Sequence, residues 1–438
     1  MPIRRLLLLC TLAALALPAA AAAQDYVPGE VIVRYEGGTS PTAEAASERV
    51  VGTDTTQTLP SGAEKLDIED GDSVQETISE LRRDRNVAYA VPNWKARAAA
   101  FVPNDPDIRL QWNLFDEFGV GMPEAWELAT ARGAPGGRGA VVAVLDSGVA
   151  YQRFGPFRRA PDLRADTFVK GYDFLDHDRH PNDEHRHGTH VAGTIAQATN
   201  NGLGVAGIAY GAKIMPIRVL DALGEGDAFT ISRAIRYAAR RGADVINLSL
   251  DFPAEVGAAQ IPDVLSALRF ARRRGSVVVA AAGNKGYLRV AYPARAPEVI
   301  AVGATTRRGC EADFSNAGVD LDLMAPGGGA DADNVFNPWD REHCRPDAPA
   351  EAIFQQTFVH RGWVSRFGLR GPAFEGTSMA ASHVSAIAAL VIASGRLGRN
   401  PGPELVEQHL EATARDAGAP GFDRFYGHGI VDAAAALR

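Results

Sequence analysis

Apolar β-branched runs alternate with longer stretches of helical period from about residue 107 onward. Val141 to Leu145, Lys213 to Leu220, Val245 to Leu250, Val277 to Ala281 and Val299 to Val302 read as buried strands. Phe229 to Arg241 and Ile261 to Arg274 carry a helical pattern between them, and Ala381 to Ala393 is small and apolar enough for a buried helix. Strand and helix in alternation predict a parallel β-sheet flanked by helices, and such sheets place sites at the carboxyl ends of their strands.

The segment before this has a different rhythm. Glu30 to Tyr35 alternates as a strand, Ala43 to Val51 is a short helix, and Ala63 to Asp70 is another strand. Ser73 to Arg83 is helical, with Ser73 as cap and Gln75 and Glu76 behind it. Val87 to Val91 closes the unit as a strand. These elements predict a small α+β domain over residues 24–100. Trp94 to Pro106, with Lys95, Arg97, an alanine run and two prolines, reads as an exposed and easily cut linker.

At the start, Arg4 and Arg5 precede an apolar run from Leu6 to Leu17, then Pro18 and the small residues Ala19 to Ala23. This is the three-part pattern of an export signal, residues 1–23, with cleavage after Ala23. A run of this length is short of the ~20 residues that span a bilayer, so no membrane attachment is expected after cleavage. The mature product is expected outside the cell, with periplasmic retention left open. Removing the signal leaves Cys310 and Cys344, which in an exported chain can pair; two free buried thiols are the alternative.

Composition narrows the function. The 438 residues are 46% hydrophobic and 22% charged, which is ordinary globular composition. A net charge of -8 argues against nucleic acid as a partner. The chemistry-bearing residues sit at strand and helix ends. Asp146 follows Val141–Leu145, and a carboxylate at the end of a buried strand needs hydrogen-bond partners; taken alone it reads rather as a turn residue. His187 lies in His187-Gly-Thr-His190, just before a small-residue helix. Five histidines fall between His177 and His190, so a metal cluster is an alternative, although no His-Glu-x-x-His occurs. Asn284 ends the run from Val277 and either closes a turn or aims its amide at a developing oxyanion. Ser378, before the Ala381–Ala393 stretch, is either a helix cap or a nucleophile. The order Asp, His, Ser is one of the known triad orders.

The motifs Val144-Leu-Asp146-Ser-Gly148, His187-Gly-Thr-His-Val-Ala-Gly193, Ala282-Gly-Asn284 and Gly376-Thr-Ser378-Met-Ala together resemble the subtilisin-like serine proteases, the subtilases. Tyr292-Pro293-Ala294, Phe314-Ser-Asn316, Ala325-Pro-Gly327 and Gly427-His-Gly-Ile-Val-Asp432 extend the match from about Pro103 to the end. Residues 24–100 resemble the family's inhibitory propeptide, a ferredoxin-like unit of β-α-β-β-α-β type. The resemblance implies a subtilisin-like catalytic domain over 101–438. Asp146, His187 and Ser378 would be catalytic and Asn284 the oxyanion donor. It implies protein or peptide substrates, the propeptide as intramolecular inhibitor, self-processing near residues 94–103, and a monomer. A catalytically dead protein that keeps the fold is the alternative class.

By the same resemblance, substrate backbone pairs with Ser249-Leu250-Asp251 and Gly224-Glu225-Gly226, and Ala281, Ala282 and Ala291 line the primary pocket. The family has glycine where Asp251 stands. Glu225, Asp227 and Asp251 would put carboxylates beside the peptide and favour basic side chains near the cut; carboxylates pointing to solvent are the alternative. Proline and alanine are usual where Ser382 and Ser385 stand, so the helix after Ser378 is expected to run straighter. The insertion Asp331–Gly368, with Trp339, Cys344 and Trp363, has no family counterpart. Two loops resemble structural calcium sites: Asp173, Asp176 and Asp178 in one, and Asn200 to Gly204 with Asp162 in the other. Turn asparagines and solvated aspartates are the alternative there. Ca2+ would be structural, and catalysis would need no cofactor.

Overall fold

A computed structural model describes residues 26–95, 101–333, 338–358, 367–368 and 373–438. The expected export signal, residues 96–100 of the linker and Trp363 lie outside the described residues. The chain divides into two compact units, Met1–Ala99 and Ala100–Arg438.

The first unit runs β1 (Tyr26–Tyr35), a helix Pro41–Val50, β2 (Thr53–Thr58), β3 (Ala63–Ile68), a helix Val74–Leu81 and β4 (Val87–Trp94). Its sheet is antiparallel in the order β2-β3-β1-β4. The Val74–Leu81 helix begins where its cap predicts. The Ser73 hydroxyl accepts from the Glu76 N–H, and the Glu76 carboxylate accepts from the Ser73 N–H at 3.1 Å. Val74, Ile78 and Leu81 then pack on Val31, Val33 and Leu66. The sequence pattern does not announce β2. Thr-Asp-Thr-Thr-Gln-Thr has no apolar residue, but threonine is β-branched and suits an edge strand that buries little.

The second unit is built on a seven-stranded parallel sheet. Its strands are β5 (Val141–Asp146), β6 (Tyr172–Asp173), β7 (Lys213–Arg218), β8 (Val245–Leu248), β9 (Val277–Ala281), β10 (Ile300–Thr305) and β11 (Leu323–Pro326), in the order β11-β10-β9-β8-β5-β7-β6. The order reverses at β5, so a crevice opens at the carboxyl end of β5, between β7 and β8. One face packs on the helices His187–Ala196 and Thr377–Ser394, the other on Ala228–Arg240 and Pro262–Arg273. The Thr377–Ser394 helix is apolar enough to cross a membrane by composition, but it is buried in the protein core. It starts four residues before the apolar stretch suggests, and it runs unbroken through Ser382 and Ser385.

Two predicted strands end early. The chain leaves β7 at Arg218 because the N–H groups of Val219 and Leu220 both donate to the Asp146 carbonyl. The turn thereby wraps the end of β5. β6 and β11 are too short and too irregular in pattern to read from sequence.

Cys310 and Cys344 form a disulfide, which ties the first part of the insertion to the sheet. Asp331 strengthens that tie, accepting from Thr306 Oγ1, Arg308 Nε and the Arg345 N–H, each at 2.6 Å. Closing a 34-residue loop lowers the entropy of the unfolded chain by about 3–4 kcal/mol in free-energy terms. Cys344→Ser is expected to lower stability to urea by about 2–4 kcal/mol. An unchanged unfolding midpoint would show that the insertion is not held by this bridge.

Candidate active site

Asp146 ends β5 with no exposure to water. A bare carboxylate there would be costly, so each oxygen needs a donor. Oδ1 accepts from the Ser147 N–H at 2.7 Å and from His187 Nδ1 at 2.8 Å, and Oδ2 lies 3.0 Å from the same nitrogen. This contact fixes the proton on Nδ1 and leaves Nε2 as the acceptor. Burial disfavours the imidazolium, but the charge and hydrogen bond of Asp146 outweigh it and hold the His187 pKa above its ordinary value.

His187 opens the His187–Ala196 helix, after Arg186 in a left-handed conformation (φ 86°). The turn is organised by Asp183, a buried residue that the sequence motifs do not single out. Its Oδ1 accepts from the N–H groups of His185 and Arg186 and from Ser147 Oγ; its Oδ2 accepts from the Thr189 N–H and hydroxyl. Burial pushes the Asp183 carboxyl up to about 6 even with these donors opposing it. Ser147 also accepts from the Gly188 N–H at 3.0 Å, so the end of β5 and the start of the helix are stitched together. Gly188 leaves no room for a side chain: a Cβ there would lie 2.1 Å from the Gly148 carbonyl.

Ser378 is the second residue of the Thr377–Ser394 helix. Its hydroxyl donates to the Ser249 carbonyl at 3.2 Å, and Ser249 Oγ donates back to the Ser378 carbonyl at 2.9 Å. Asn284 follows β9. Its Oδ1 accepts from the Thr377 N–H at 2.8 Å and from the Thr377 hydroxyl at 2.9 Å. With the oxygen so committed, the NH₂ end of this exposed side chain remains for a ligand.

A cleft of about 410 Å³ beside His187 is lined by His185, His187, Leu220, Gly224 to Gly226, Ile231 and Ser249 to Pro253; Ser378 and Asn284 are not among its lining residues. It brings together both expected substrate edges. Glu225 and Asp251 lie exposed in its wall. Asp227 does not: its Oδ1 caps the Ala228–Arg240 helix through the Thr230 N–H at 2.9 Å. Ala281, Ala282 and Ala291 are buried and are not among the cleft-lining residues. The second half of the insertion packs against the His187–Ala196 helix. Ile353 O lies 3.1 Å from His190 Nε2, and Thr357 Oγ1 donates to the Arg186 carbonyl.

His190 and His383 are buried away from water. Burial drives His190 down to about 3 and His383 to about 4, so both are neutral. Among the described residues, the histidines between 177 and 190 form no ligand cluster.

The two acidic loops differ. Asp173 and Asp176 both accept from Arg218 of β7, at 2.9 and 2.8 Å, and Glu184 takes its other nitrogen. Asp178 Oδ1 accepts from the His180 N–H. Beyond that loop, Asn182 Oδ1 is buried without a hydrogen-bond partner among the described residues. In the second loop Asp162 is buried and accepts from Asn201 Nδ2 at 2.7 Å and from the Val205 N–H. Beside it Asp105, also buried, accepts from the N–H groups of Asn200 and Asn201. Burial first, and the charge of Asp105 in addition, push Asp162 up to about 6. Among the described residues no basic side chain pairs with either, so this donor set fits an oxygen-seeking cation. Asn200 uses its side-chain oxygen on the Asn104 N–H. Asn201 and Asp105, rather than Asn200, are the residues beside Asp162.

Comparison with known proteins agrees with this architecture. The subtilase family matches residues 137–429, and the fervidolysin N-terminal prodomain matches residues 13–93. A thermophilic serine proteinase from Bacillus sp. (strain AK1) is 34% identical over 371 residues, which is 85% of this chain and 79% of that protein. Thermitase from Thermoactinomyces vulgaris is 34% identical over 300 residues, 68% of this chain and 88% of that one. A solved protease from Pseudoalteromonas arctica PAMC 21717 superposes with a TM-score of 0.62 at 32% identity, covering 77% of this chain and 99% of that one. With its parallel sheet, its antiparallel prodomain and these relatives, the chain belongs to the subtilase family of serine endopeptidases.

Proposed function

We propose that this chain is an exported endopeptidase precursor in which Ser378 attacks the peptide carbonyl, His187 is the base and Asp146 orients and charges the imidazole. The observation that carries this is the contact of a fully buried carboxylate with His187 Nδ1. Ser378 Oγ turns from the Ser249 carbonyl to His187 Nε2 when substrate fills the cleft, since catalytic hydrogen bonds tighten in the loaded site. His187 takes the serine proton and returns it to the leaving amine. Asn284 Nδ2, with the Ser378 N–H, holds the oxyanion.

The first unit acts as intramolecular inhibitor, and self-processing in the 94–103 stretch releases the catalytic unit as a monomer. Peptides and proteins are the substrates, and nucleic acid is not a partner. The relatives include a protein named an extracellular basic protease, which supports secretion after loss of residues 1–23.

Glu225 and Asp251 give the cleft a preference for basic side chains near the cut. Calcium fits Asp162, Asp105 and the Asn201 loop, where it would replace a proton as the countercharge; the Asp173 loop has Arg218 in that role and is the weaker candidate. The family commonly carries structural calcium, and the ion takes no part in the chemistry.

A fluorophosphonate probe is expected to label Ser378 in the wild type and not in Ser378→Ala; an unlabelled wild type would sink the catalytic reading in favour of a dead homologue. Asp146→Asn should cut kcat by about 10⁴, and Asn284→Ala by about 10²–10³, the scale such an asparagine has in subtilisin itself. With His187 held up by Asp146, the acid limb of kcat/KM should lie above ~6.5 and fall in Asp146→Asn. An unmoved limb would remove His187 as the base.

Peptide-library profiling should enrich Lys and Arg on the Glu225–Asp251 side of the cut, and Glu225→Gln with Asp251→Gly should reduce that enrichment roughly 2–5-fold per charge. A flat library profile rejects the preference.

The Asp162 carboxyl, at about 6 rather than 3.8, binds its proton more tightly folded than unfolded. Without calcium, its contribution to stability therefore declines as pH rises from about 4 to 6. EDTA should lower Tm more at pH 7 than at pH 5, and Asp162→Asn should blunt that difference. A Tm at pH 7 indifferent to EDTA would count against calcium here.

A further inference from the structure

The catalytic unit receives its first described residue in a built site. Phe101 N–H donates to Glu127 Oε1 at 2.8 Å. The Phe101 ring is half-buried edge-on against Trp126, with centroids 5.7 Å apart, and Trp126 in turn meets Tyr210 at 6.1 Å. A pocket of about 610 Å³, walled by Trp126, Glu127, Thr130 and Tyr210 among others, opens beside it. Trp126 is itself fixed by its Nε1–H donating to the Ile208 carbonyl at 2.8 Å. The next residue, Val102, points its side chain to solvent, being 61% exposed. Asn104 and Asp105 then clamp the strand to the 200–202 turn.

Among the described residues the Phe101 N–H is the one donor to the Glu127 carboxylate, which has more acceptor capacity than that donor requires. It suits an ammonium, whose charge-assisted hydrogen bond is about twice as strong. We infer that Glu127 and the Trp126–Tyr210 pocket form a receptor for a new amino terminus, and that maturation cuts the bond before Phe101. The inference rests on the self-processing reading above. Hydrolysis of that bond consumes one water: the C–N bond breaks, hydroxyl joins the Ala100 carbonyl carbon, and hydrogen joins the Phe101 nitrogen. At neutral pH that nitrogen takes a further proton. A cut one or two bonds later would strip the ring from its pocket and the nitrogen from Glu127. A cut before Phe101 keeps every contact and adds a charge where a carboxylate waits.

The test is carried out on the matured wild-type enzyme and on Glu127→Gln. Intact mass and amino-terminal sequencing should give a chain that begins Phe-Val-Pro-Asn-Asp. The α-amine, followed by reductive ¹³C-methylation and NMR, should titrate above the 7.7–8.0 of a free amino terminus and return to that range in Glu127→Gln. Its salt bridge stabilises the fold below the ordinary value and is lost as pH rises through the raised one. The wild-type advantage in Tm over Glu127→Gln should therefore be larger at pH 7 than at pH 10. A mature chain beginning elsewhere overturns the inference and leaves self-processing standing. A wild-type chain that stays uncut overturns both. A chain that begins at Phe101 but whose amine titrates normally, and identically in Glu127→Gln, overturns the receptor while keeping the cut.

Discussion

The buried carboxylate of Asp146 is the constraint from which the rest of the catalytic unit follows. A charge at the end of a central strand, wholly removed from water, is tolerable only if donors converge on it. Its own neighbour Ser147 supplies one and His187 the other. That requirement draws the His187–Ala196 helix to the end of β5, and the approach is close enough that only glycine fits at 188. Ser147 and Asp183 fix the helix start at the same place. The imidazole is thus held by electrostatics that exist before any substrate arrives, which is what orientation by a fixed dipole network requires.

The parallel sheet converts this local demand into a shared site. Strands β5, β8 and β9 are neighbours in register and all run the same way. Their carboxyl ends therefore deliver Asp146, Ser249 and Asn284 to one edge. The Thr377–Ser394 helix packs on these strands and brings Ser378 to Ser249 and Thr377 to Asn284. Nothing in a single motif specifies this convergence. It comes from strands distant in sequence that run parallel side by side, with β5 between β7 and β8.

That division explains what was legible. Asp146, His187, Asn284 and Ser378 each stand at a junction of strand or helix, where local pattern is most informative, and the structure brings the elements carrying them together. The capping of the Val74–Leu81 helix was readable for the same reason. Long-range partners were not. Asp105 lies 57 residues from Asp162 in the chain, and Glu127 is 26 residues from Phe101, so no spacing rule connects them. Arg218 is the sharpest case: an ordinary strand residue in sequence, it pairs with Asp173 and Asp176 of the acidic loop expected to hold a cation, because β6 and β7 set Asp173 directly opposite it. Asp227 misled in the opposite sense. It adjoins Gly226 in the chain, but a helix beginning one residue later claims its carboxylate.

The departures at Ser382 and Ser385 carry a physical consequence under Ser378. Hydroxyls inside a buried helix need acceptors, and Ser385 finds one outside its own helix. It donates to Asn247 Oδ1 of β8 at 2.9 Å. Asn247 Nδ2 donates to Ser249 Oγ, also at 2.9 Å, and that hydroxyl donates to the Ser378 carbonyl. The chain of bonds runs from the helix interior through the sheet and back to the helix's first turn. Each member is buried, so each bond is worth more than it would be in water, and breaking one leaves a desolvated partner. Ser385, where alanine is usual, thus sets the seat of Ser378 by hydrogen bonding to the neighbouring strand, while Ser382, where proline is usual, donates within the helix to the Met379 carbonyl.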